Sequence, residues 1–431
     1  MKKSIYVFIA FTLGAISLYA DDQTASVAKV KFNYCFTTYG DWVNVNLGEC
    51  RLPYLWNGEN FSAAGDYSVT LTGQNIRGCD SIARLHLTTY DCLVDEQEMT
   101  VFSTQLPVAW EGNSCTEAGT FYSDVFVDPI TGKDKYKQLT LNVISVPEGA
   151  IGGLFTINSS GTQVMFSQGN LQYQASSGTW RFAAHQYDVI GNAVGNTTPG
   201  YNGRGTQSGW IDLFRWGTSG AHPDLPPHWY TSNNKDPLYT SAIGFLDLTG
   251  ENAIYDWGVY NAIENGGNQA GLWRTLTAEE WYYVANLRPN AADKISYQCI
   301  VNGIYGYILL PDTWQLPAGA TFYKATSYTS YSYTIDEWNL LGQAGAVFFP
   351  AGKQDLNNNF VDNTKSVYWT TTTIHANEWY NCSFSYNLSG WDETKTFAQL
   401  ISDPQWDSSK YKIIYSVKGY GLPVRLVRVY Q

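Results

Sequence analysis

Catalysis or metal binding in this chain would have to be built from seven cysteines, five histidines and a thin scatter of carboxylates. The histidines are His86, His185, His222, His228 and His375. His222-Pro223-Asp224 with His228 carries metal-ligand chemistry, but its prolines mark a loop. Asp355-x-Asn357-x-Asn359-x-x-Asp362 is rich in oxygen ligands and suggests calcium. A helix–loop–helix calcium site needs glycine at its sixth position and a bidentate glutamate at its twelfth. Phe360 and Ser366 stand there, so a solvated Asn-rich turn is expected and calcium is the only cofactor in view. The chain has no Gly-x-Ser-x-Gly, His-Glu-x-x-His, phosphate-loop or Cys-x-x-Cys motif. Its carboxylates are too scattered to nominate an acid–base pair. No catalytic residue and no metal ligand is assigned.

Binding chemistry is better represented. The late segment holds Trp379, Tyr380, Asn381, Ser383, Ser385, Tyr386, Asn387, Trp391, Asp392, Trp406 and Tyr411. Tyr and Trp supply contact area at low entropic cost, and Ser and Asn adapt their hydrogen bonds. This mixture suits protein recognition, or sugar recognition by ring stacking. The competing reading is that the aromatics pack a core.

Such residues need a scaffold, and the stretch Trp273–Tyr283 offers its centre. Thr277 and Glu280 have the spacing of a capping box, with Leu276 and Trp281 as a hydrophobic staple. Trp281, Val284 and Ala285 recur on one helical face, and Arg288-Pro289 ends the helix. Thr334-Ile335-Asp336-Glu337 is a second capping box, and Asp256 should cap a helix from Trp257 to about Glu264. Short strands are expected at 164–167, 180–182, 187–189, 307–310, 346–349 and 367–371. The closing strand 423–429 should partition its apolar residues from Arg425 and Arg428. Residues 191–239 read as a loop-rich excursion.

At 431 residues, several domains are expected. The net charge of −12 argues against a nucleic-acid partner. Lys2 and Lys3 followed by the apolar run Ile5–Leu18 read as a signal peptide over residues 1–20. No later run is long and apolar enough to span a bilayer, so no transmembrane anchor is expected after cleavage. The mature protein should be secreted or held at the outer cell surface, where disulfides form.

Residues 30–147 repeat with an offset of 54. Leu52-Pro53 recurs as Leu106-Pro107, Trp56-x-Gly58 as Trp110-x-Gly112, and Leu85-x-Leu87 as Leu139-x-Leu141. The repeat predicts two small all-β modules, 30–90 and 91–147. Cys50 and Cys79 become Thr104 and Lys133 in the second copy. Their joint presence and absence predicts a Cys50–Cys79 disulfide, with Cys35–Cys92 as the further pairing and Cys115 left over. Pro147–Gly153 reads as a linker to a domain over 150–431.

Gly78-Cys79-Asp80-Ser81-Ile82 and the alternating strand after it resemble the immunoglobulin-like repeats of exported Bacteroidetes proteins. The large domain resembles the C-type-lectin-like fold of the formylglycine-generating, sulfatase-modifying group, particularly its Fibrobacter succinogenes major paralogous (FISUMP) domains. The resemblance rests on Trp273–Trp281, Phe349-Pro350-Ala351-Gly352, Tyr368-Trp369-Thr370-Thr371-Thr372 and Gly421–Val427. It implies two Ig-like modules followed by an α+β lectin-like domain. In lectin-like folds, including the variable proteins of diversity-generating retroelements, the late segment forms the binding face. The group's oxidative enzymes use a late cysteine pair with copper; Cys299 and Cys382 do not reproduce that pair. The expected function is an adhesin-like protein that binds a glycan or protein ligand. The alternatives are an enzyme of the sulfatase-modifying class with replaced catalytic residues, and a structural surface or appendage subunit.

Overall fold

The computed structural model describes residues 35–191, 209–228, 246–324, 330–354, 360–361, 366–373, 380–385 and 413–430. The expected signal peptide lies outside these residues. The fold is mostly β-sheet with few helices. The chain divides into two compact units, Met1–Val94 with Val125–Tyr136, and Asp95–Asp124 with Lys137–Gln431.

In the first unit, strand Thr38–Gly48 runs parallel to Ser81–Tyr90, which pairs antiparallel with Gly65–Leu71. Leu85 and Leu87 are fully buried while His86 and Thr88 face solvent, as period-2 alternation requires. A two-residue Asn57-Gly58 turn, with φ of 46° and 84°, joins the hairpin strands Tyr54–Trp56 and Glu59–Phe61.

The disulfides correct the expected pairing. Cys35 bonds Cys79 and Cys50 bonds Cys92, with Cα separations of 5.5 and 6.1 Å. The parallel register supplies the reason. Thr38 pairs with Ser81 at one end of the ladder, and Gly48 with Tyr90 at the other. Cys35 and Cys79 lie just before the first rung, and Cys50 and Cys92 just after the last. Cys50 and Cys79 therefore sit at opposite ends of a strand pair roughly 30 Å long. Joint loss in the second copy could not reveal this, because Cys92 also has a non-cysteine counterpart, Val146. At Gly48 the approach is so close that a Cβ would overlap Cys92 Sγ. Gly48 N–H also donates to Asp134 Oδ2 at 2.8 Å, and Arg51 Nε to Asp134 Oδ1 at 2.6 Å.

The second copy repeats these elements at the same offset. Its hairpin Val108–Trp110/Asn113–Cys115 turns through Glu111-Gly112 at φ 44° and 81°. Its core of Trp110, Cys115, Leu139 and Leu141 matches Trp56, Phe61, Leu85 and Leu87 position for position. Cys115 is a buried free thiol in the place of Phe61. The expected linker is a packed seam instead. Ile151 N–H donates to Phe166 O (2.9 Å) and Gln168 N–H to Gly149 O (2.7 Å). Phe102 of the second copy packs with Leu154 and Met165 of the large domain.

In the large domain, the closing strand Leu426–Val429 lies between Gln163–Phe166 and Arg274–Thr275, antiparallel to both. The domain's first strand, Phe155–Thr156, pairs on the outer side of Gln163–Phe166, so the second strand of the domain is the one beside its last. A second sheet orders Tyr331–Tyr333, Ile295–Val301, Ile304–Leu309 and Val347–Pro350. Both capping boxes form: Glu280 N–H donates to Thr277 Oγ1 (3.1 Å), and Glu337 N–H to Thr334 Oγ1 (3.3 Å). The central helix is α over Ala278–Tyr282 and continues as a π-helix through Leu287, ending at Arg288 as expected. It buries Trp281, Val284 and Ala285. Phe349 is the hub of the surrounding core, stacked on Tyr307 at 4.6 Å and edge-on to Phe166 and Tyr368 at 5.4 and 5.3 Å.

Two local expectations fail for identifiable reasons. The helix at Trp257 stops at Tyr260, because the Asn261 side-chain amide donates to Trp257 O (3.0 Å) and to Ser219 O (2.9 Å). Residues 187–189 are not a strand. Asp188 Oδ2 accepts from His185 N–H at 2.8 Å and folds them into a turn.

Candidate functional site

The late segment is carried by a three-stranded sheet, Val367–Thr373, Tyr380–Ser385 and Ile413–Val417, with Tyr380–Ser385 central. Its first strand is fastened from several sides. Thr371 N–H donates to Leu276 O (3.1 Å), and Thr372 Oγ1 accepts from Ala278 N–H (2.9 Å) at the helix start. Thr373 N–H donates to Asp247 Oδ1 (2.6 Å). Trp369 is fully buried and its Nε1–H reaches Phe214 O (2.7 Å). Trp216 Nε1–H reaches Thr370 O (2.9 Å). The capped helix and this strand therefore hold each other in register.

Tyr380, Asn381, Ser383 and Ser385 lie on the central strand. Asn381 pairs with Thr373 and Ser416, and Ser383 with Trp369 and Ile414. Trp379, Tyr386, Asn387, Trp391, Asp392, Trp406 and Tyr411 lie outside the described residues. The described part of the late segment ends at the Phe384–Ile413 rung on one side and at the Tyr380–Val417 rung on the other.

Beneath this sheet sits a feature that strand alternation does not reveal. Arg425 is 1% exposed. Its Nη2 donates to Gln186 Oε1 (3.0 Å), and its guanidinium lies 5.5 Å from the Phe349 ring centre. Burial lowers its pKa to about 10, opposed by Tyr368 and Tyr307. Burial likewise raises Tyr368, whose hydroxyl donates to Asn170 Oδ1 at 3.0 Å. The signal available in sequence was an arginine flanked by Val424 and Leu426 in a closing strand. Arg288 is a second buried cation, bonded to Asp312 Oδ1 at 3.0 Å and lying over Phe155.

Asp256 does more than cap its short helix. Its carboxylate accepts from Gly258 N–H (3.2 Å), Thr275 N–H (2.7 Å) and Thr275 Oγ1 (2.9 Å). Full burial raises its pKa to about 6 against those donors. Arg274 beside it is bidentate to Glu280, both bonds 2.7 Å, so Glu280 closes the capping box and the ion pair together.

Cys299 is fully buried and its thiol is pushed up to about 11 by burial, so it is protonated at neutral pH. His222 Nδ1 accepts from Asp224 N–H (3.2 Å), and His228 stacks on Tyr173. Among the described residues, no group of three His, Cys, Asp or Glu side chains is placed to hold a metal. The calcium candidate's Asp355, Asn357, Asn359 and Asp362 lie outside the described residues; flanking residues 353–354 and 360–361 pair as an antiparallel ladder. Among the described residues no helix is long and apolar enough to cross a membrane. Compared with known proteins, the chain matches no family model, no curated protein sequence and no solved structure.

Proposed function

We propose that this is an exported, adhesin-like binding protein in which Ig-like modules present a FISUMP-type lectin-like domain. Its late segment would take a glycan or protein ligand. One observation carries the reading: the strand Tyr380–Ser385, which in sequence lies within a segment dense in Trp, Tyr, Asn and Ser, is the middle of a sheet fastened to a capped helix. Binding loops held by a rigid scaffold have this form. The return of the last strand to the sheet that the domain's first two strands begin supports the lectin-like assignment. Cys299, buried and protonated, weighs against a catalytic thiol there.

The test is a glycan array together with a protein pull-down on the mature chain. Saturable binding lost in Trp391→Ala and Trp406→Ala, with an unchanged melting transition, is the expected result. Binding that survives both changes moves the site elsewhere. Oxygen-dependent turnover of a cysteine peptide would favour the sulfatase-modifying reading instead.

A further inference from the structure

Within the second unit, the end of the repeat's last strand and the closing sheet enclose a groove of 660 Å³. It opens because the ladder between the closing strand and residues 274–275 has only two rungs, Arg274–Val427 and Thr275–Leu426. Before Arg274 the chain turns away through Gly271, at φ 79°. The closing strand runs on through Arg428 to Tyr430, which forms the groove's other side.

The lining is mixed: Ile144 from the second module and Val259 and Leu272 from the large domain give an apolar side, beside the polar Ser145 and Tyr430. Two arginines border it, and they differ. Arg274 is committed to Glu280 by two bonds of 2.7 Å. The side chain of half-buried Arg428 has no hydrogen bond or ion pair among the described residues. It stands opposite Met165 in the ladder, so both project from the same face of the sheet. Met165 is covered by Phe102 and Leu154. Arg428, beside it, borders the groove. A guanidinium with no side-chain partner among the described residues can receive a carboxylate through two parallel N–H donors.

We propose that this groove binds an amphipathic organic monocarboxylate, with its carboxylate on Arg428 and its apolar body against Leu272, Val259 and Ile144. A guanidinium without a side-chain partner among the described residues matches one negative charge, and Leu272, Val259 and Ile144 give a hydrocarbon body an apolar side to lie on. The volume falls in the range of about 300–1,000 Å³ typical of small-molecule sites. The described lining contains none of the late-segment residues.

Calorimetric titration of the full mature chain with decanoate, below its micelle-forming range, tests this. Saturable one-to-one binding is expected, weakened at least about tenfold by Arg428→Gln through loss of a charge-assisted bond. Decanol should bind wild type at least about tenfold more weakly than decanoate on the same ground, which keeps the test independent of any variant's folding. Glucuronate should bind more weakly than decanoate. Trp391→Ala should leave decanoate affinity unchanged, so failure of the late-loop reading and failure of this one are distinguishable. Absence of saturable binding, equal affinity for decanol, tighter binding of glucuronate, or indifference to Arg428→Gln in a folded variant would each overturn the proposal.

Discussion

Asp256 shows how one residue can link helix, strand and solution conditions. Its folded pKa of about 6 lies above the ordinary 3.8, so the native state holds the proton more tightly than the unfolded chain. Its contribution is therefore fully present below pH 4 and is lost as pH rises through about 6. At about 1.4 kcal/mol per pKa unit, the loss amounts to about 3 kcal/mol at most. Chemical denaturation at pH 4.5 and pH 7 should show this decline in wild type and a flatter profile in Asp256→Asn. Asp134 and Asp312 act in the opposite sense, because their donors outweigh burial and hold both below the usual carboxylate range. Their stabilisation fades only as pH falls below about 4. At the repeat's turns the backbone decides instead. Gly112 has φ 81° and open space where a Cβ would point. Gly112→Ala should thus cost about 1–2 kcal/mol from conformation alone, without a packing change, as read by urea denaturation.

Among elements, the central helix is short and depends on its start. Thr277→Ala removes the acceptor for Glu280 N–H but leaves the Arg274–Glu280 pair in place. A loss of about 1 kcal/mol is expected. The same change also loosens the contact through which Ala278 N–H reaches Thr372 Oγ1. Hydrogen exchange should therefore rise in strand 367–373 as well as in the helix. The capping boxes were readable because a Thr-x-x-Glu spacing states its own geometry. The helix at Trp257 was overread because Asn261 competes for a helix carbonyl, and no periodicity count registers that. Residues 147–153 looked like a linker from their glycines. Those glycines instead permit close approach: a Cβ on Gly153 would come within 2.9 Å of Gly345 O.

Across the molecule, the four cysteines that form disulfides among the described residues all fall in the first unit. Reduction should lower the melting transition of that unit and leave the second unchanged. Losing one native bridge from a small domain typically costs about 2–5 kcal/mol. Scanning calorimetry with and without reductant checks this. A shift of both transitions together would mean that the two units unfold as one. The second repeat has no bridge within itself among the described residues, and it shares a core with the large domain through Phe102, Leu154 and Met165. A small module that cannot bury enough surface alone needs a staple or a neighbour, and the two copies use one each.

The sequence by itself determined the features whose partners lie within a few residues or recur at a constant offset. These are the repeat, both capping boxes and the alternation at Leu85 and Leu87. Tertiary structure alone decided the cysteine pairing, the burial of Arg425 and Arg288, and the groove beside Arg428. Each depends on which distant strands become neighbours and in what register. A parallel ladder brings Cys35 to Cys79 across 44 residues, and the closing strand sets Arg428 beside Met165 from the far end of the domain. Local spacing carries no record of such meetings, because the free energy that selects them comes from burying surfaces that form only when the chain has folded.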